Sequence, residues 1–129
     1  VTGVQTCALP ILQDIVRYNP IRGKEGYYDC SSLVQRLYQE VGISLPAIAS
    51  TQGEFMVTHG LEVTEGELEP GDLIFYSYEQ NGQFRNISHV AIYVGNGRMV
   101  HAANSRRGVV NDPFNPSNIG LYGRPSRLQ

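Results

Sequence analysis

The stretch "SHVAIYVGNGRMVHAA", Ser88–Ala103, decides how this chain folds. Its apolar residues run on both sides of a Gly-Asn-Gly break, so it reads as strand, turn, strand. Each arm also carries a histidine, His89 and His101. The turn determines whether those two side chains share a face. A two-residue Asn96-Gly97 turn pairs Gly95 with Arg98 and Ile92 with His101, which sends the histidines to opposite faces because side chains alternate along a strand. A three-residue Gly95–Gly97 loop pairs Val94 with Arg98 instead. His101 then lies across from Ala91, and His89 becomes its diagonal neighbour at about 7–8 Å, within reach of two imidazoles. Cooperation between the histidines requires that loop or an equivalent bulge.

Working outward, "EPGDLIFYSY" (Glu69–Tyr78) is a turn leading into a β-rich run, with Asp72 as a structural turn and strand-entry residue. The segment "NDPFNPSNIGLYGRP" (Asn111–Pro125) reads as a loop rich in Pro, Asn and Gly, with a short strand near Leu121 to Arg124. Upstream the period is helical. In "GYYDCSSLVQRLYQEVG" (Gly26–Gly42), Leu33, Val34, Leu37, Tyr38 and Val41 form one apolar stripe. Asp29 is a natural N-cap and Gly42 a natural stop. Thr51 to about His59 reads as a short helix, and Ile11–Tyr18 has helical spacing. Helices first and antiparallel strands later give an α+β fold, with N-terminal helices on a small antiparallel sheet of about five or more strands.

The 129 residues suffice for one domain with a core. The formal net charge of -2 and the lack of a Lys/Arg cluster argue against nucleic acid as a partner and against membrane-surface binding. No apolar run reaches membrane-spanning length. "VTGVQTCALPI" resembles translated sequencing-adapter read-through, so residues 1–11 are expected to be a non-native leader and residues 12–129 a single domain.

The two cysteines are Cys7, in that leader, and Cys30, in the most ordered-looking segment. They are too few for a four-thiolate zinc site, and no His/Cys spacing completes a mixed one. Cys30 is therefore expected to be a free thiol. It lies on the apolar stripe of its helix, one turn earlier, at the helix mouth. Unpaired N–H groups and the helix dipole there favour a thiolate, the form that attacks carbonyls. From position alone, a buried structural cysteine is as good a reading. His89 and His101, in apolar strands, would individually pass for satisfied core histidines; together, beside Cys30, they suggest a constellation. His59 reads as a solvated residue at a helix end. In the catalytic reading Cys30 is the nucleophile, His89 the proton carrier, and His101 the residue that orients His89. The Cys30 backbone N–H is placed for an oxyanion. No metal or organic cofactor is required.

Four motifs, "YDCSSLV" (Tyr28–Val34), "EPGDLIFY" (Glu69–Tyr76), "SHVAIYVGNG" (Ser88–Gly97) and "MVHA" (Met99–Ala102), occur in this order. From about Tyr18 to Arg124 the chain resembles the NlpC family of bacterial cell-wall cysteine peptidases. The resemblance implies a papain-like fold and catalytic Cys30, His89 and His101. It also implies oxyanion or substrate-binding roles for Tyr18, Asp29 and Ser31. Cysteine before histidines argues against the circularly permuted relatives. Ser32 stands where the family usually has glycine, and "NPIRG" replaces its common Trp-Gly-Gly. The implied activity is hydrolysis of the D-γ-glutamyl–diamino acid bond in peptidoglycan stem peptides, by an extracellular or wall-associated enzyme acting as a monomer. The alternatives are a related wall amidase or thiol acyltransferase, and an inactive wall-binding module.

Overall fold

The structure, a computed structural model, describes residues 29–104 and 107–128. The leader with Cys7, the helix expected over Ile11–Tyr18, and Tyr18 itself lie outside the described residues.

Helix α1 spans Cys30–Glu40. Asp29 caps it: its Oδ1 accepts the Ser32 N–H at 2.8 Å, and the Asp29 N–H donates back to Ser32 Oγ at 3.0 Å. Such a reciprocal cap is worth about 1 kcal/mol. The far end closes on Gly42 at φ +87°, where the Ile43 N–H reaches Tyr38 O and the Gly42 N–H reaches Gln39 O. This is a Schellman stop, and it needs the left-handed backbone that glycine adopts without strain. Between the caps, Leu33, Val34, Leu37 and Tyr38 are buried. Each fully buried aliphatic side chain contributes roughly 1.5–3 kcal/mol, so the stripe rather than helix propensity docks α1. Helix α2 spans Ala49–Thr58.

The strands are β1 (Glu62–Val63), β2 (Leu73–Tyr76), β3 (His89–Gly95), β4 (Arg98–Asn104), β5 (Gly108–Pro113) and β6 (Ile119–Gly123). They form one antiparallel sheet in the order β1-β6-β2-β3-β4-β5. The two faces separate by residue parity. Leu73, Phe75, Val90, Ile92, Val100 and Leu121 join the α1 stripe and Met56 in the helix-side core. Ile74, Tyr76, Ala91, Met99 and Tyr122 form a second cluster, with Phe114 packed against it. Both faces are covered at β2, which explains why all four of its residues are buried. At Gly123 the helix-side packing is so close that a Cβ would come within 2.5 Å of Met56 Cγ and Sδ.

Two strands depart from the sequence reading. The short β1 was not foreseen. The start of the segment read as a loop, Asn111–Pro113, belongs to β5, whose Pro113 sits at the end of an edge strand, where a missing N–H leaves no ladder bond unmade.

Candidate active site

The β3–β4 hairpin has a two-residue turn, Asn96 at φ +54° and Gly97 at φ +68°, with Gly95 across from Arg98. That turn alone would have sent the histidines to opposite faces. A register shift between Tyr93 and Gly95 makes Val94 an extra residue, so the pairing resumes as Tyr93–Met99 and Ile92–Val100. One step further on, His101 lies across from Ala91, on the same face as His89. The bulge thus does what the three-residue loop was expected to do. His89 Nε2 and His101 Nδ1 are 2.8 Å apart, with the rings edge-on at 75°.

His89 opens β3 opposite Tyr76 and is ringed by aromatic side chains, with Tyr76 at 6.0 Å and Tyr78 at 6.2 Å between centroids. Burial, and then the neighbouring His101, push its pKa down to about 4. With Nε2 engaged by His101, Nδ1 is the nitrogen left for other chemistry.

Cys30 is a free, partly buried thiol at the first position of α1. Its sulfur is approached by the backbone N–H of Val90, the residue after His89, and by the N–H groups of Ser31 and Cys30 itself. The Val90 N–H brings the start of β3, next to His89, to the sulfur, and Tyr78, whose pKa burial and then the Cys30 charge raise, lies against the His89 ring. The sequence reading expected the helix mouth to favour a thiolate. Those N–H groups do pull the pKa down, but burial first, and then the Asp29 carboxylate, outweigh them and raise it. Without substrate, the Cys30 thiol and the His89 imidazole are therefore both neutral near pH 7.

Burial pushes the Asp29 carboxyl up, yet hydrogen bonds from Ser32 and Ser31 hold it below the usual range. Ser31 is buried, with its hydroxyl 3.3 Å from Asp29 Oδ1. Asp29 and Ser31 thus flank Cys30, and Asp29 is both cap and neighbour. Asp72 is structural, buried and in bidentate contact with Arg124 at 2.9 Å through each oxygen. His59 is exposed at the end of α2, its Nδ1 3.1 Å from Phe55 O.

The sequence reading missed two groups. Tyr78, half exposed, stacks on Tyr76 at 5.4 Å and lies against His89 at 6.2 Å. Asp112 on β5 lies with Oδ2 2.9 Å from His101 Nε2, and Arg107 grips both of its carboxylate oxygens at 2.8 and 2.9 Å. Only recognition of β5 as a strand could have found Asp112. Among the described residues, no group of three or more His, Cys, Asp or Glu side chains is arranged to hold a metal ion.

Residues 18–119 match the NlpC/P60 family. The chain is 33% identical over 107 residues to the gamma-D-glutamyl-L-lysine dipeptidyl-peptidase of Bacillus cereus, covering 81% of this chain and 30% of that one. It is 41% identical over 80 residues to the bifunctional muramidase/DL-endopeptidase CwlT of Bacillus subtilis, covering 60% and 22%. It therefore spans less than a third of either relative's length. The solved structure of NlpC2 from Trichomonas vaginalis superimposes with a TM-score of 0.75 at 25% identity, covering 94% of this chain and 45% of that one. The chain belongs to the NlpC/P60 family, and its α+β architecture is the papain-like fold.

Proposed function

We propose that this member of the NlpC/P60 family is a cysteine endopeptidase that hydrolyses the D-γ-glutamyl–diamino acid amide of peptidoglycan stem peptides. The observation that carries the reading is the Cys30 thiol at a helix mouth, its sulfur against the N–H of Val90, next in sequence to a histidine whose Nε2 lies 2.8 Å from a second histidine. The bond is inferred from relatives named for γ-D-glutamyl-L-lysine and DL-endopeptidase activity. Its substrate places the enzyme outside the cell or at the wall. Among the described residues no helix is long and apolar enough to cross a membrane.

The chemistry follows from the neutral pair. As the thiol attacks the γ-glutamyl carbonyl carbon, its proton passes to His89 Nδ1. The carbonyl oxygen becomes an oxyanion to which the helix-mouth N–H groups can donate, with Tyr18 as a further candidate donor. The C–N bond then breaks, and His89 returns the proton to the departing amine. A thioester on Cys30 remains. Water attacks the thioester carbonyl as His89 takes one of its protons; the C–S bond breaks, His89 returns that proton to the Cys30 sulfur, and the carboxylic acid product leaves and ionises to solvent. His101 holds His89 in plane throughout. Asp29 and Ser31, flanking the nucleophile, are the candidate contacts to the peptide stem.

The test is mass spectrometry of the fragments that the chain releases from defined muropeptides. New γ-glutamyl carboxylate and free diamino-acid amine ends are expected. Cys30→Ala should abolish them, while Cys7→Ala should leave them unchanged. Cleavage by the Cys30→Ala variant would overturn the reading, and no cleavage by the wild type would favour an inactive wall-binding module.

A further inference from the structure

We infer that Asp112, braced by Arg107, is a positioning residue that sets the tautomers of His101 and His89 so that His89 Nδ1 is bare and able to take the Cys30 proton. The inference rests on the catalytic reading above and adds two residues to it.

One line of hydrogen bonds, Asp112 to His101 to His89, fixes where each proton sits. An ionised carboxylate only accepts. His101 Nε2, 2.9 Å from Asp112 Oδ2, must therefore carry a hydrogen. In a neutral ring the other nitrogen, Nδ1, is then bare. It faces His89 Nε2 at 2.8 Å, a contact that needs one hydrogen between the two nitrogens. That hydrogen belongs to His89 Nε2, which leaves His89 Nδ1 bare, the state a proton acceptor requires. Without the carboxylate, the opposite chain is equally well bonded: His101 Nδ1–H donates to a bare His89 Nε2. His89 Nδ1 then carries a hydrogen and cannot take one from the thiol. Two histidines in contact are thus a bistable pair, and Asp112 selects one direction.

Arg107 explains why the anchor does not become a proton sink. Its guanidinium engages both carboxylate oxygens and, as the largest influence, holds the Asp112 pKa down to about 2. A carboxylate so weakly basic keeps its charge and leaves the proton on His101. When His89 becomes imidazolium, His101 Nδ1 still offers it a lone pair, and no second proton transfer is needed. The sheet register makes the arrangement possible. His101 pairs with Val110 and Met99 with Asp112, so Asp112 is the diagonal neighbour of His101 across β4 and β5. His101 is itself only 8% exposed, so water competes poorly for its Nε2.

The test reads the tautomers directly, by nitrogen-15 NMR of the full chain labelled at histidine, alongside kcat and KM on a defined stem peptide. In the wild type at neutral pH, His101 and His89 should both show Nε2–H and bare Nδ1. Nδ1–H on either ring overturns the inference, and this arm needs no variant to fold. In Asp112→Asn, the amide can donate to His101 Nε2 and reverse both rings. The kcat should fall by at least tenfold, towards the ~10⁴-fold seen when the aspartate of a serine-protease triad is changed to asparagine, with KM within about twofold. Arg107→Met should keep the wild-type tautomers, because the carboxylate remains. An Asp112→Asn enzyme with wild-type tautomers and kcat overturns the inference but leaves the catalytic reading intact. Activity in Cys30→Ala or His89→Ala would overturn that reading itself.

Discussion

Replacing Asp72 with alanine should cost about 3 kcal/mol of stability, although it lies in a turn. Asp72 is 1% exposed and Arg124 6%. Arg124 Nε and Nη2 donate to the two carboxylate oxygens at 2.9 Å each, and Oδ2 also accepts the Glu69 N–H at 2.9 Å. Nearby, the Tyr38 hydroxyl of α1 donates to Gly71 O, so the same turn ties α1 to the start of β2. Removing one member of a buried ion pair costs about 3–5 kcal/mol, mostly because the other charge is left desolvated. The lower end applies here. Arg124 keeps the Glu67 carbonyl at 2.6 Å and the half-exposed Glu69 carboxylate at 2.7 Å. The assay is urea unfolding followed by far-ultraviolet circular dichroism, since the chain contains no tryptophan. At a slope of about 1–3 kcal/mol per molar, the midpoint should fall by roughly 1–3 M. The double variant Asp72→Leu/Arg124→Met should recover most of the loss, because an apolar pair strands no charge. A loss below about 1 kcal/mol in Asp72→Ala, or no recovery in the double variant, would refute the reasoning.

Two further outcomes concern the site. The substrate-free enzyme should show no Cys30-dependent thiolate absorbance in the ultraviolet at neutral pH, because burial raises the thiol pKa and lowers His89 to about 4. His101, Tyr76 and Tyr78 face His89; in the proposed mechanism protonation of that ring removes the base, so the acid limb of kcat/KM should lie nearer 4 than the ordinary 6.5. A thiolate band at pH 7 or an acid midpoint at 6.5 would contradict the neutral pair. Ser32→Gly restores the family's usual residue but deletes half of the α1 capping box and adds backbone freedom. It should lose about 1–2 kcal/mol in urea unfolding with kcat within twofold, and a tenfold change in kcat would assign the hydroxyl to the substrate groove instead.

The parts of the fold that were legible in the sequence are those where one local rule dominates. Asp29, the stripe from Leu33 to Tyr38, and Gly42 each signal the same helix, and the structure has that helix with both caps made. The apolar runs on either side of Gly95–Gly97 likewise read as a hairpin, and the structure has β3 and β4 there. What was not legible is β5. Gly108–Pro113 carries Asn111, Asp112 and Pro113, residues that favour turns, and its strand geometry comes from pairing with β4 rather than from its own propensity. Misreading that segment hid Asp112, because a side chain on a supposed loop has no diagonal neighbour. Tyr78 escaped for a related reason: its contacts are with Tyr76 and His89, and only tertiary packing brings the latter to it.

The hairpin shows why register is the deciding quantity in this site. The turn is the one that Asn96-Gly97 encodes locally, with both residues at positive φ. Taken alone, it points His101 away from His89. Facing is a parity, so a single inserted residue reverses it. Val94 is that residue, and Tyr93–Met99 is the pair at which the ladder resumes in the new phase. The core enforces the phase: Ile92 and Val100 must face the α1 stripe, while Met99 and Ala91 must face the cluster around Tyr76. Sliding the pairing by one would bury His101 among the helix-side aliphatics and expose Val100 and Ala102 to the opposite layer. The contact between the two histidines is therefore held by apolar residues on both faces of the sheet. That is a stronger constraint than the 2.8 Å hydrogen bond between the rings could impose on its own.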